Sequence, residues 1–119
     1  MRFEARDLPP YTVSVTEESL RVGNVYFKVD YPADDDMLVP TMRTLVFLGR
    51  GVITGNAEDF LFQDHESYDW GIRHDTASED DQIQLHSFDS AGLGGIYEFE
   101  EALNELLRCS LRRSDRQSG

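Results

Sequence analysis

Apolar residues repeat at every second position in short runs as far as Phe88, and from Phe99 onward they recur every three or four positions. The first spacing puts side chains on one face of a strand and the second makes a stripe along a helix, so the chain is constrained to a sheet followed by a helix. Tyr11 to Thr16, with Val13 and Val15 in phase, Leu20 with Val22, and Val25 to Tyr31 predict three strands. Gly23-Asn24 lies between the second and third and suits a tight hairpin turn, which predicts antiparallel pairing. Thr44 to Leu48 and Gly51 to Thr54 add two β-rich runs about Gly49-Arg50, Gly55-Asn56 marks a further turn, and Phe60 and Phe62 alternate as strand residues do. Residues 64–70 fit either a strand or a short helix. Residues 75–82 read as a polar loop, Ile83 to Phe88 as a strand with Ile83, Leu85 and Ser87 inward, and Gly92 to Gly95 as a break before the helix.

The final element is amphipathic. Phe99, Leu103, Leu106 and Ser110 form one stripe, widened by Ala102, Leu107 and Leu111. Glu98, Glu100 and Glu101 stand at its start and Arg108, Arg112 and Arg113 near its end, each sign where the helix dipole favours it. The expected architecture is α+β: a mainly antiparallel sheet of five or six strands with a C-terminal amphipathic helix packed on one face. Residues 1–113 form a single domain and residues 114–119 a tail expected to fray.

Charge narrows the function. Residues 1–107 carry 22 Asp and Glu against 7 Lys and Arg, a balance of −15, and residues 108–119 carry 1 against 4, a balance of +3, for −12 overall. A field of that sign repels phosphate and draws cationic macromolecules. Direct nucleic-acid binding is therefore not expected, since it needs clustered Lys and Arg. With 39% hydrophobic and 11% aromatic residues the chain has the material to fold despite its charge. Nothing in it approaches a membrane span, and the single Cys109 agrees with a reducing compartment, so the expected location is the cytoplasm.

Specific chemistry finds little footing. Gly92-Leu93-Gly94-Gly95 matches neither common nucleotide loop, has no lysine after it and is followed by three glutamates that repel an anion. His65, His74 and His86 lack metal-site spacing, and the consecutive carboxylates Asp34, Asp35 and Asp36 would point apart along an extended loop, so neither a metal nor another cofactor is expected. Cys109 sits near a helix C-terminus, where a thiolate is disfavoured, which points to burial. No serine occupies a nucleophile elbow, and an enzymatic role is not expected.

One segment stands out for recognition. Residues 56–81 hold nine acids and one base, Arg73, a local balance of −8, with Phe60, Phe62, Tyr68 and Trp70 among them. Phe60 and Phe62 are expected in the core. Asp64, Glu66, Tyr68, Asp69, Trp70, Asp75, Glu79, Asp80 and Asp81 form the expected protein-binding surface, in which aromatic rings anchor and carboxylates steer. The expectation is an interaction domain that covers a basic surface of another protein. Bacterial immunity proteins that block cationic nuclease toxins share that design in charge and size alone. Two alternatives stay open: an accessory domain that self-associates through its sheet edge or an aromatic patch, and an enzyme with an unfamiliar carboxylate site.

Overall fold

The computed structural model describes residues 7–31, 36–78 and 81–118. Five strands, β1 (Val25–Asp30), β2 (Thr41–Arg50), β3 (Phe60–Asp64), β4 (Leu85–Phe88) and β5 (Ile96–Tyr97), form an antiparallel sheet in the order β4-β3-β2-β1-β5. A short helix α1 (His65–Asp69) follows β3, and the helix α2 (Phe99–Ser118) packs against β1 and β5. The α+β architecture is the one expected.

Alternation along the strands divides the apolar residues between two faces. On one, Tyr26, Leu45, Phe47, Phe60, Phe62 and Ile96 are buried together, with Phe88 packed against them and Val15, Leu20 and Leu93 closing over the top. The Phe62 ring meets those of Phe47 at 5.2 Å, Phe88 at 5.6 Å and Tyr26 at 6.2 Å. Lys28 on β1 brings its Nζ to 5.9 Å from the Phe88 ring on β4, three strands away, so the sheet is strongly curved and this face is its concave side. The opposite face carries Phe27, Val29 and Val46, and α2 covers its β1 and β5 end, where Phe27 and Phe99 meet edge to face at 5.7 Å.

Several local expectations change. Residues 11–16 and 20–22 are not strands: the backbone bond between the Val15 amide and the Ile96 carbonyl holds the first run, a 3-10 turn at Glu17–Ser19 interrupts it, and Val15 and Leu20 serve as a lid on the core. Gly23-Asn24 therefore closes no hairpin. Its turn, with Gly23 at φ 85, leads into β1, and the bonds of Gly23 and Asn24 to Phe47 extend the β1–β2 pairing. Gly51 to Thr54 is not a strand either: β2 runs on through Gly49-Arg50, with an irregularity between Phe47 and Gly49 that takes up the extra residue, and ends at Arg50. The chain reverses at residues 51–59 instead. Gly51 sits at φ 64 with its Cα so close to Asn56 that an added Cβ would lie 2.8 Å from that residue's carbonyl oxygen, which only glycine tolerates.

The stripe of α2 is also rotated from its expected position. Ala102, Glu105 and Cys109 point into the structure, Phe99 and Leu111 are largely exposed, and Leu103, Leu106 and Leu107 are half-buried. Glu105 explains the shift. Its carboxylate, 9% exposed, accepts bonds from the Tyr31 hydroxyl at 2.9 Å and the Thr12 hydroxyl at 3.5 Å, and Arg112 lies 3.5 Å away while donating to the same Tyr31 oxygen at 2.9 Å. Glu105 is thus a buried charged pin between helix and sheet, at a position outside the expected apolar stripe. Cys109 is buried as expected and its thiol meets the Leu38 carbonyl at 3.2 Å. Residues 114–118 continue the helix, and Arg116 pairs with Asp36 at 2.8 Å.

Candidate functional site

Asp64 ends β3 and starts α1, resolving residues 64–70 as a helical turn. Its Oδ2 accepts the Ser67 amide at 2.9 Å, the N-cap bond that satisfies an otherwise orphaned donor. Its Oδ1 accepts the Ser67 hydroxyl at 2.6 Å and the Gln84 amide at 2.7 Å, and its own amide donates to the Gln84 carbonyl at 3.0 Å. Burial alone would raise its pKa, but the bonds from Ser67 and Gln84 outweigh it and hold the carboxyl below its ordinary value. Asp64 therefore stabilises the fold at neutral pH, and this contribution is lost as pH falls through its depressed pKa. Beneath it, Gln63 is fully buried and its amide nitrogen donates to Ser67 Oγ and the Ile72 carbonyl, both at 2.8 Å, binding the chain after α1 back onto the sheet. Asp64→Ala should cost about 1–3 kcal/mol, the loss of a cap plus two further charged hydrogen bonds. Asp64→Asn should cost less, and denaturation midpoints of the two variants at neutral pH check the order.

The turn built on Asp64 forms one wall of a groove of about 510 Å³ on the concave side of the sheet. Arg43 and Leu45 of β2 lie on its floor, Asp64, His65, Glu66 and Trp70 along one side, and Gln82, Gln84 and His86 along the other. The Trp70 indole is 67% exposed although it directly follows α1, which Ser67 and the Asp64 cap hold to the sheet. His86 stacks on the Phe88 ring with planes 11° apart, and its Nε2 is buried without a hydrogen-bond partner among the described residues. Burial and then the Arg43 guanidinium lower the imidazole pKa, with Asp64 opposing, so the ring is held neutral at neutral pH.

The expected binding residues divide. Asp64, Glu66 and Trp70 line this groove, and Asp69 is exposed one residue before Trp70. Tyr68 is turned elsewhere: residues two apart on a helix do not share a face, and its ring lies under the Arg73 guanidinium at 3.6 Å with its hydroxyl toward Gly23. Asp75 is exposed in the loop after α1, and Asp81 is half-buried with its Oδ2 accepting the Ser78 amide at 2.8 Å. Glu79 and Asp80 lie outside the described residues. Asp64 and Asp81 thus spend hydrogen-bonding capacity on the fold, while Glu66, Asp69 and Asp75 keep theirs toward solvent.

Arg43, Gln84 and His86 were not anticipated as part of this surface. The reading of Ile83 to Phe88 had the right strand and the wrong phase: His86 and Phe88 face the concave side, whereas Leu85 and Ser87 are exposed on the other. That outer side carries a second groove, of about 230 Å³, lined by Val52, Ile53, Leu61 and Leu85 with Thr54, Asp59 and Ser87. Phe60 and Phe62 are core, as expected. Among the described residues no three His, Cys, Asp or Glu side chains are grouped to hold a metal ion, and no helix is long and apolar enough to cross a membrane. No protein-family model, curated protein or solved structure matches the chain.

Proposed function

We propose that this chain is a small acidic interaction domain that covers a basic surface of another protein, in the manner of an immunity or inhibitor protein. The observation that carries the reading is Trp70: a large ring 67% exposed on the wall of a groove that Glu66 also lines, with Asp69 exposed one residue before it, in a segment of net charge −8. Leaving an indole in water forgoes the roughly 1.5–3 kcal/mol that burial of a large apolar side chain supplies, and a partner that covers it recovers that energy. Flanking carboxylates make a cationic partner the favoured one, since a Lys or Arg can sit over the indole face while paired with Glu66 or Asp69.

A variant carrying Trp70→Ala, Glu66→Gln and Asp69→Asn tests the site without touching the Asp64 cap. Immobilised wild-type chain should retain basic proteins from a cell lysate that the variant releases or binds at least about tenfold more weakly. Equal retention by the folded variant would remove this groove from the interface. The second reading, a self-associating accessory domain, draws on the exposed Val52, Ile53 and Leu85 beside the outer strand β4.

A further inference from the structure

β4 is the last strand of the sheet, so among the described residues one of its sides has no neighbouring strand. The Asp64 amide donates to the Gln84 carbonyl where β3 meets the start of β4, and alternation then assigns the inner bonds to His86 and Phe88 and turns the amides and carbonyls of Leu85 and Ser87 outward. Leu85–Phe88 is short, at four residues, but carries no lysine, no proline and no bulge to guard it as an edge. The two grooves described above lie on opposite faces of this same strand. Gln84 and His86 border the one that holds Glu66, Asp64 and Trp70, with Arg43 as its cation; Leu85 and Ser87 border the aliphatic one of Val52, Ile53 and Leu61.

A strand laid along β4 would send its successive side chains alternately into these two grooves. We propose that the partner's contact segment is an extended strand that adds antiparallel or parallel to β4, its residues alternating between lysine or arginine and aliphatic side chains. The cations face Trp70, Glu66 and Asp69, and the aliphatic residues seat on Ile53 and Leu85. The occupant is a basic segment of another protein and not a second copy, because two chains of −12 repel and the net charge of the first groove calls for a cation. This inference rests on the reading above and adds the shape and pattern of what is bound.

Two capped synthetic peptides of identical composition provide the test, one alternating lysine and valine and one with the lysines and valines in separate blocks. Trp70 is the only tryptophan of the chain, so its fluorescence reports binding directly. The alternating peptide should bind at least about tenfold more tightly than the blocked one. Ser87→Pro should abolish that advantage while Ser87→Ala keeps it, since a proline whose nitrogen faces outward is tolerated on an edge yet removes the docking donor. Ile53→Lys, at an exposed position, should abolish it as well without disturbing the edge. Equal affinity for the two peptides, or an advantage that survives both Ser87→Pro and Ile53→Lys, overturns the strand-addition model but leaves the acidic-face reading standing. Failure of both peptides to bind at low salt overturns both. A dimer of the chain that tightens with salt and is lost in Ser87→Pro would assign the edge to a second copy and overturn the proposed occupant.

Discussion

Phe62→Ala is expected to destabilise the domain by about 3–5 kcal/mol, the usual cost of emptying a fully buried phenylalanine site. The position is central in a specific sense: β3 is flanked by β2 and β4, and the Phe62 ring touches aromatic rings from β1, β2 and β4 at once. Its loss leaves Phe47, Phe88 and Tyr26 each with an unpacked side, and Tyr26 cannot move freely because its hydroxyl accepts the Arg21 amide at 2.8 Å. Domains of this size have only about 5–15 kcal/mol in total, so the variant should sit near the limit of folding. Urea titration followed by circular dichroism gives the number. A cost below about 1 kcal/mol would mean that the concave core is not packed as described.

Glu105→Ala is the second large effect, expected at about 2–4 kcal/mol, because it leaves the Tyr31 hydroxyl proton without its acceptor and removes the carboxylate beside Arg112, which keeps its bonds to the Tyr31 oxygen and the Met37 carbonyl. Glu105→Gln should recover much of this, since an amide oxygen still accepts from Tyr31. The pair also predicts a pH signature. Burial, then the hydrogen bond to Glu105 and its negative charge, raise the Tyr31 pKa well above the ordinary tyrosine value, with Arg112 opposing. A raised folded-state pKa means stability that is complete below about pH 10 and declines as pH climbs from there toward the folded value. Stability curves in alkali should therefore fall less steeply for Glu105→Ala than for the wild type, and a parallel fall would show that Tyr31 is not held by Glu105.

The same glutamate shows why part of the fold was legible in the sequence and part was not. Period-two alternation located β1, β3 and the core residues Phe60 and Phe62 because those side chains are apolar where they are buried. The stripe of α2 was misplaced because one of its buried positions is a carboxylate, whose partners Tyr31 and Thr12 lie more than 70 residues away. Periodicity cannot register a charge made tolerable by a distant partner. Nor can it say whether an alternating run finds an edge to pair with, which is why Tyr11 to Thr16 looks like a strand and is used as a lid.

The candidate surface was legible in part for a related reason. Composition singled out the segment around α1, and Trp70, Glu66 and Asp69 stand there toward solvent. Asp64 lines the groove but also caps α1, a role not expected from the sequence, because an aspartate followed three residues later by Ser67 is equally suited to a helix cap. Arg43 and His86 reach the groove only through the pairing of β2, β3 and β4, a register that no local pattern encodes. Phase decided the rest: a shift of one residue along β4 exchanges His86 for Leu85 at the groove wall.

The central claim is that this molecule's negative field is used against a cationic macromolecule. Capture from lysate on the immobilised chain at about 50 mM and about 500 mM salt tests it most directly, because the shorter Debye length at the higher concentration weakens charge pairing while leaving apolar contacts intact. The account predicts that the proteins retained at low salt are basic and that the higher salt releases most of them. Retention of neutral or acidic proteins, or of the same set at both concentrations, would contradict it.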